Sequence, residues 1–162
     1  MELSFRLSDY DNSLHYSIEM RKANKPDILL RQKALLIEIK SLTALDRKKE
    51  AYDSVRVADF DLRDITTAEL TFIKAEWLYQ NKKYKDAENE VYFLLQNFKT
   101  YSYWRAKGFI LLGDIYVAMG DDFQAKATWK SVIEHHKGAD LIAVAQQKLN
   151  ELIASEEDSE KS

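Results

Sequence analysis

The stretch Phe109–Trp129, FILLGDIYVAMGDDFQAKATW, decides the fold of this chain because it holds two helix-forming segments and the turn that joins them. Before the turn, apolar residues recur at intervals of three and four, as they do on one face of an α-helix. After the turn, a small residue is followed four positions later by a large aromatic one. The residues that carry this pattern are Phe109, Leu112, Gly113, Tyr116, Ala125 and Trp129. The pattern predicts a helix, a tight turn and a second helix.

Two glycines indicate how these helices are joined. Gly113 lies in the middle of the first predicted helix, where glycine is less stable than alanine by roughly 1 kcal/mol. We expect close approach of the second helix, with Ala125 facing the glycine, to offset this cost. Gly120 suits the left-handed conformation that ends many helices, and Asp121 or Asp122 can cap the next one. The stretch therefore predicts an antiparallel helix pair.

Composition extends this prediction to the whole chain. Its 162 residues are 46% hydrophobic and 31% charged, with only four glycines and one proline. So few turn-forming residues favour helices joined by short turns over a sandwich or barrel, and we predict an all-α fold. The net charge of −3 and the pI of about 5.7 argue against a nucleic-acid-binding protein, which usually carries a basic excess. We predict no nucleic-acid partner.

The sequence also excludes several kinds of site. It contains no cysteine, which rules out disulfides, cysteine nucleophiles and thiolate metal ligands. Its uncharged runs are far shorter than the roughly 18 residues of a membrane span, so we predict no direct membrane insertion. The first residues lack the basic and apolar regions of a signal peptide. None of this assigns a compartment, because a cysteine-free chain is compatible with both cytoplasm and periplasm.

The context of Ala125 recurs twice earlier in the chain, as expected if one helix pair needs neighbours to bury its apolar face. Ala87 stands 38 residues before Ala125, and Ala51 stands 36 residues before Ala87. Each is preceded and followed by an amphipathic segment of helical length. We predict three helix pairs, at about 28–60, 66–98 and 103–136.

The two ends of the chain differ from these pairs, as terminal repeats do. Residues 9–23 predict one amphipathic helix, the second half of an incomplete repeat, and Pro26 predicts a turn or the first position of the next helix. Residues 140–154 predict a helix that caps the last pair. We therefore predict one helical repeat domain over 9–154. The acidic tail, 155–162, lacks apolar residues and predicts disorder.

The order of residue types over Tyr103–Glu134 resembles a tetratricopeptide repeat (TPR), whose period is about 34 residues. The resemblance implies an all-α, TPR-like solenoid of about three antiparallel pairs, with an N-terminal half-repeat helix and a C-terminal capping helix. The other two repeats depart from the pattern, since Ala75 and Ile39 replace the glycine. The proline usual at the end of a repeat is also missing, and Lys137 follows Trp129 by eight residues.

The segment YWRAKGFILLGDIYVAMGDDFQAKATWKSVIEHH, with its following helix and charged tail, also resembles the C-terminal end of large bacterial TPR proteins of the cell envelope. This narrower resemblance implies that the chain is a piece of a longer protein located in the bacterial cell envelope or periplasm. The residues themselves leave the cytoplasm equally open.

No motif in the sequence predicts catalysis. It has no G-x-S-x-G, no glycine-rich phosphate loop and no dinucleotide fingerprint, and no pair of carboxylates sits in a recognisable motif. His135 and His136 are adjacent and point to different sides of a helix, whereas helical metal ligands stand three or four residues apart. His15 is remote from both in sequence. We predict a non-enzymatic protein without a metal site or a cofactor.

The first helix of each pair lines the concave side of stacked helix pairs, where peptides and partner helices bind. Removing the residues of the interhelical stripes leaves a predicted partner-binding groove. Its members are Lys33, Leu36, Lys40, Glu69, Phe72, Glu76, Tyr79, Lys107, Ile110 and Asp114. The leading hypothesis is a protein-interaction scaffold that binds a peptide segment or partner helix of mixed charge through these residues.

A structural role is the alternative. In that case the helix pairs are a section of a longer solenoid, or a module that self-associates without an independent ligand. The predicted helix over 9–23 favours this alternative, because an uncovered apolar face seeks a partner. Self-association through the N-terminal helix is the corresponding partner prediction.

Overall fold

The structure is a computed structural model that describes residues 9–23, 27–56 and 62–160. For residues 159 and 160 it describes the backbone alone. Within these ranges all regular secondary structure is α-helical, which confirms the all-α prediction. The helices are α1 (Tyr10–Lys22), α2 (Ile28–Ala44), α3 (Lys48–Val55), α4 (Ile65–Gln80), α5 (Tyr84–Asn97), α6 (Ser102–Ala118), α7 (Asp122–His135) and α8 (Ala139–Glu160). No helix in the described ranges has the length and apolar composition of a membrane span.

The chain forms two compact units, and the boundary between them falls after Lys74, inside α4. In the first unit, α1 packs against α2 and α2 against α3. In the second unit, each of the helices α5 to α8 packs against the next, and α6 also touches α8. Packing between neighbours is the organisation expected of repeats. The single repeat domain over 9–154 stays a prediction.

Three turns share one backbone geometry. Asp46, Lys82 and Gly120 take the left-handed conformation, with φ of 58°, 59° and 80°. In each turn the next residue donates a backbone hydrogen bond to the carbonyl five positions earlier, as at many helix ends. These bonds are Arg47 to Leu42 (2.8 Å), Lys83 to Leu78 (2.9 Å) and Asp121 to Tyr116 (2.9 Å). The turns are 36 and 38 residues apart, the same spacings that separate Ala51, Ala87 and Ala125.

The core of the first unit joins α1 to α4. Its buried apolar residues are Leu14, Leu35, Ile39, Leu42, Ala51, Val55 and Leu70. Beside them lies a buried carboxylate, Glu38, which accepts a 2.7 Å hydrogen bond from Ser54 of α3. Arg21 Nε of α1 lies 3.0 Å from Glu38 Oε2, close enough for an ion pair, although its N–H is not aimed at that oxygen. Glu38 therefore connects three helices through polar contacts.

The core of the second unit is built around Trp129, whose neighbours include Ala106, Ile110, Ala125, Val132 and Leu141. Its indole nitrogen donates a 3.1 Å hydrogen bond to the backbone carbonyl of Ile110. A Cβ at Gly113 would lie only 2.2 Å from that nitrogen. The close approach predicted at Gly113 is therefore present, but the indole of Trp129 fills the space that was assigned to Ala125.

The ends of several elements refine the predictions. Asp121, rather than Asp122, caps α7, since its carboxylate accepts the backbone N–H of Gln124 at 3.0 Å. The first predicted pair extends to residue 60, whereas α3 ends at Val55. Residues 57–60 and Pro26 lie outside the described residues.

The last helix is longer than predicted. Helix α8 continues through Glu160, whereas the sequence predicted a capping helix ending at 154 and a disordered tail after it. Lys126 Nζ of α7 lies 2.7 Å and 2.8 Å from the two carboxylate oxygens of Glu156. This contact between helices gives the acidic segment a positive partner that composition alone did not provide.

Candidate binding surface on the first helices

The ten residues of the predicted groove lie on α2, α4 and α6, the first helices of the three predicted pairs. Lys33 is exposed, and seven of the others are half-buried: Leu36, Lys40, Glu69, Glu76, Tyr79, Lys107 and Asp114. Half-buried charged side chains on a helix face are accessible to a partner yet partly removed from water. The two remaining members, Phe72 and Ile110, are buried.

Phe72 and Ile110 differ from the prediction. Their exposed fractions are 4% and 7%, so neither side chain offers a contact surface to a partner. Ile110 belongs to the core around Trp129, and its carbonyl accepts the indole hydrogen bond. The prediction reserved only the stripe between the two helices of a pair for packing. A helix in an array also packs against a following helix, which occupies more of its surface.

In the first unit, an ion pair joins two first helices. Lys40 Nζ of α2 lies 2.5 Å from Glu69 Oε1 of α4. Nearby, Gln32 of α2 donates a long, 3.4 Å, hydrogen bond to Thr67 of α4, and both side chains are buried. Two groove residues of opposite charge thus satisfy each other within the chain. Lys40 is therefore less available as an isolated cation than its place in the sequence suggested.

In the second unit, the surface is organised around Asp114 of α6. Its carboxylate lies 2.8 Å from Lys148 Nζ of α8, and the two side chains are 20% and 32% exposed. Burial raises the pKa of the Asp114 carboxyl, because removal from water disfavours its charged form, and the lysine only partly opposes that effect. Asp114 is thus a carboxylate whose charge Lys148 does not fully compensate.

Tyr79, in the part of α4 that belongs to the second unit, shares this environment. Burial is the largest effect that raises the pKa of its hydroxyl, and the negative charge of Asp114 raises that pKa further. The ring of Tyr79 lies 5.9 Å from that of Tyr84. Tyr79 and Asp114, two predicted groove residues that lie far apart in sequence, are therefore close enough to interact electrostatically. A phenol donor, a carboxylate and an ammonium group lie on this surface.

Two further residues complete the surface. Lys107 Nζ lies 5.4 Å from the ring centroid of Trp104 on the same helix, a distance at which the cation interacts with the ring. Lys148 was missed by the sequence prediction because α8 was interpreted only as a cap. Its neighbour Leu149 marks the packed stripe of α8, but one sequence cannot show which helix the adjacent lysine faces.

His135 and His136 lie at the C-terminal end of α7. His135 lies in the last turn of α7, and its Nδ1 is 3.0 Å from the carbonyl of Ser131. Among the described residues, no group of three or more histidine, aspartate or glutamate side chains is arranged to hold a metal ion.

Comparison with protein-family models, curated proteins and solved structures finds no match for this chain.

Proposed function

We propose that this chain is a non-enzymatic, TPR-like interaction module that binds a peptide segment or partner helix on the surface of its first helices. The resemblance over Tyr103–Glu134 supports the TPR-like interpretation. The three equivalent turns, with left-handed residues at Asp46, Lys82 and Gly120, support a repeated helix pair. In this proposal α1 is a half-repeat and α8 caps the third pair of the solenoid.

The half-buried pair of Asp114 and Lys148 is the observation that carries the proposal. The Asp114 carboxylate lies 2.8 Å from one ammonium group and is 20% exposed, so its remaining lone pairs can accept from a further cation, and burial raises its pKa. A partner cation at this carboxylate gains an interaction that is partly shielded from water. We therefore propose that the partner segment places a lysine or arginine side chain against Asp114.

Tyr79 and Lys107 give the same surface its other contacts. Tyr79 presents a half-buried ring with a hydroxyl donor, the kind of side chain that is enriched at binding hot spots. Lys107 adds a cation beside the ring of Trp104, which suits an acidic residue of the partner. The surface thus fits a segment of mixed charge, the partner class that the first-helix residues predicted.

Selection of peptides from a random display library against the full chain tests this proposal. Selected peptides are expected to share a basic residue and to lose affinity by about tenfold for Asp114→Asn, the effect of one charge-assisted contact. Asparagine keeps the shape of the side chain and removes only its charge. Tyr79→Phe is expected to weaken the same peptides by a smaller factor.

Glu134→Gln is the matched control, because Glu134 is an exposed carboxylate on α7, the second helix of the same pair. It is expected to leave the affinity of the selected peptides unchanged. The proposal fails if the peptides bind Asp114→Asn as tightly as the parent chain. It also fails if Glu134→Gln weakens them equally, since binding would then follow net charge rather than this surface.

Self-association is a second candidate, favoured by an exposed apolar row in the first unit. Ile28, Leu29 and Leu30, in the first turn of α2, are each more than a third exposed, and Tyr16 of α1 is half exposed. Apolar side chains grouped in this way are typical of interaction surfaces. Sedimentation velocity over a range of concentrations is expected to show a dimer that Leu29→Lys disrupts. A monomer at every concentration rejects this candidate.

A further inference from the structure

The second unit contains a cavity of about 300 Å³ between the start of α6 and the end of α7. Its apolar lining comes from Ala106, Phe109 and Val132. Its polar lining consists of Ser102, Arg105, Ser131, His135 and His136. Pockets for small molecules begin at about this volume and combine an apolar wall with a few polar groups. None of these residues belongs to the surface around Asp114.

Arg105 lines this cavity and has one nitrogen without a hydrogen-bond partner in the described part of the chain. Its Nε is buried and has no hydrogen-bond partner among the described residues. Its Nη1 donates a long bond, 3.4 Å, to the carbonyl of Lys99. An unpaired N–H of a guanidinium is unfavourable when removed from water, and a carboxylate or phosphoryl oxygen is its strongest acceptor. The guanidinium of Arg105 therefore gives this lining a positive charge with which an anion in the cavity can pair.

Ser102 offers a further donor. His135 does not, because a backbone carbonyl can only accept: the 3.0 Å contact of His135 Nδ1 with Ser131 places the proton of the neutral ring on Nδ1 and leaves Nε2 as an acceptor. Ser102 is the first residue of α6, and Tyr101 at the N-cap makes no side-chain capping hydrogen bond. The positive end of the α6 dipole adds to the attraction for an anion.

His136 has a different environment. A Cβ built at Gly138 would lie 2.8 Å from His136 Nε2 and 3.0 Å from a carboxylate oxygen of Asp140. The ring of His136 and an acidic group therefore share the space around Gly138. This arrangement leaves Arg105 and Ser102 as the groups best placed for an anion.

We propose that this cavity binds a small organic anion, with a carboxylate or phosphoryl group on Arg105 and an apolar body against Phe109 and Val132. The apolar lining distinguishes such a ligand from an inorganic ion. The proposal does not depend on the function proposed for the first helices, because the two sites use different residues.

Titration of the full chain with benzoate and with phenyl phosphate, followed by NMR of the Arg105 Nε–Hε group, tests the proposal. At least one of these probes is expected to give saturable chemical-shift changes with a Kd of about 1 mM or below, an affinity reasonable for so few contacts. Benzoate alone would identify a carboxylate site, and phenyl phosphate alone a phosphoryl site. Benzyl alcohol, which is neutral, is expected to give no saturable shift.

Arg105→Gln is expected to weaken the bound probe by about tenfold or more, as expected for loss of a charge-assisted contact. Lys130→Gln, which removes the same charge from an exposed position on α7, is the matched control and should leave affinity unchanged. If Arg105→Gln does not fold, Ser102→Ala, at an exposed position of the same lining, provides the comparison and is expected to weaken the bound probe by a smaller factor. No saturable shift with either probe, or equal losses in the variant and in the Lys130→Gln control, overturns the proposal.

Discussion

Gly113→Ala tests the packing of the second unit most directly. The new Cβ would lie 2.2 Å from Nε1, 2.5 Å from Cε2 and 2.7 Å from Cδ1 of Trp129. Favourable contacts between such atoms need about 3.5–4.0 Å, so the indole or the α6 backbone has to move by about 1 Å or more. The indole is buried and hydrogen-bonded to Ile110, so it has no free direction in which to move.

The magnitude follows from three effects. Overpacking a filled core destabilises by about 1–3 kcal/mol. Loss of the indole hydrogen bond adds about 1 kcal/mol. The higher helix propensity of alanine stabilises the variant by about 1 kcal/mol, because Gly113 lies inside a helix. We expect a net destabilisation of about 1–3 kcal/mol, which lowers Tm by about 2–4 °C per kcal/mol in a chain of this size.

Urea denaturation followed by tryptophan fluorescence measures this change, and Gly108→Ala is its matched control. Gly108 lies on the same helix, but there the new Cβ would meet the Cδ2 atom of Leu94 at 3.0 Å, the end of a flexible side chain. We expect Gly108→Ala to be neutral or slightly stabilising. In a Trp129→Leu background the cost of Gly113→Ala should disappear, since the two sites are coupled. A stable Gly113→Ala variant, or equal losses at both glycines, refutes the reasoning.

Two further predictions concern buried charge. Because the pKa of Asp114 is raised above its unfolded value, the native state binds more protons between the two values, and the free energy of unfolding falls as pH rises through that interval. Asp114→Asn is expected to reduce the dependence of the free energy of unfolding on pH, measured by urea titrations between about pH 3 and 7. An unchanged dependence on pH would contradict the raised pKa of Asp114. Glu38→Ala is expected to destabilise by about 1–3 kcal/mol, because it leaves Arg21 without its carboxylate among packed helices. Glu50→Ala, at an exposed pair, is the control and should have no measurable effect in the same assay.

Local signals account for the helical character of the chain. Helix α6 ends at Ala118 and α7 begins at Asp122, on the two sides of the turn at Gly120. Their apolar spacing and turn residues act over distances of one or two helical turns. Gly120 illustrates this, since its φ of 80° and the adjacent hydrogen bond involve only neighbouring residues.

The candidate site was predicted less completely. Sequence reasoning identified Tyr79 and Asp114 as surface groups, but missed Lys148 and assigned Phe72 and Ile110 to the surface. Periodicity shows which residues share one face of a helix. It does not show how many neighbouring helices cover that face.

The sequence by itself determined that the chain is helical and that a turn lies at Gly120, because both depend on residues close together in the chain. Only the tertiary structure decided that Trp129, rather than Ala125, fills the space at Gly113. It also decided that Lys148 pairs with Asp114 and that Glu156 pairs with Lys126. These contacts join helices distant in sequence, and their geometry depends on how side chains fill the space between helices, which no local pattern encodes.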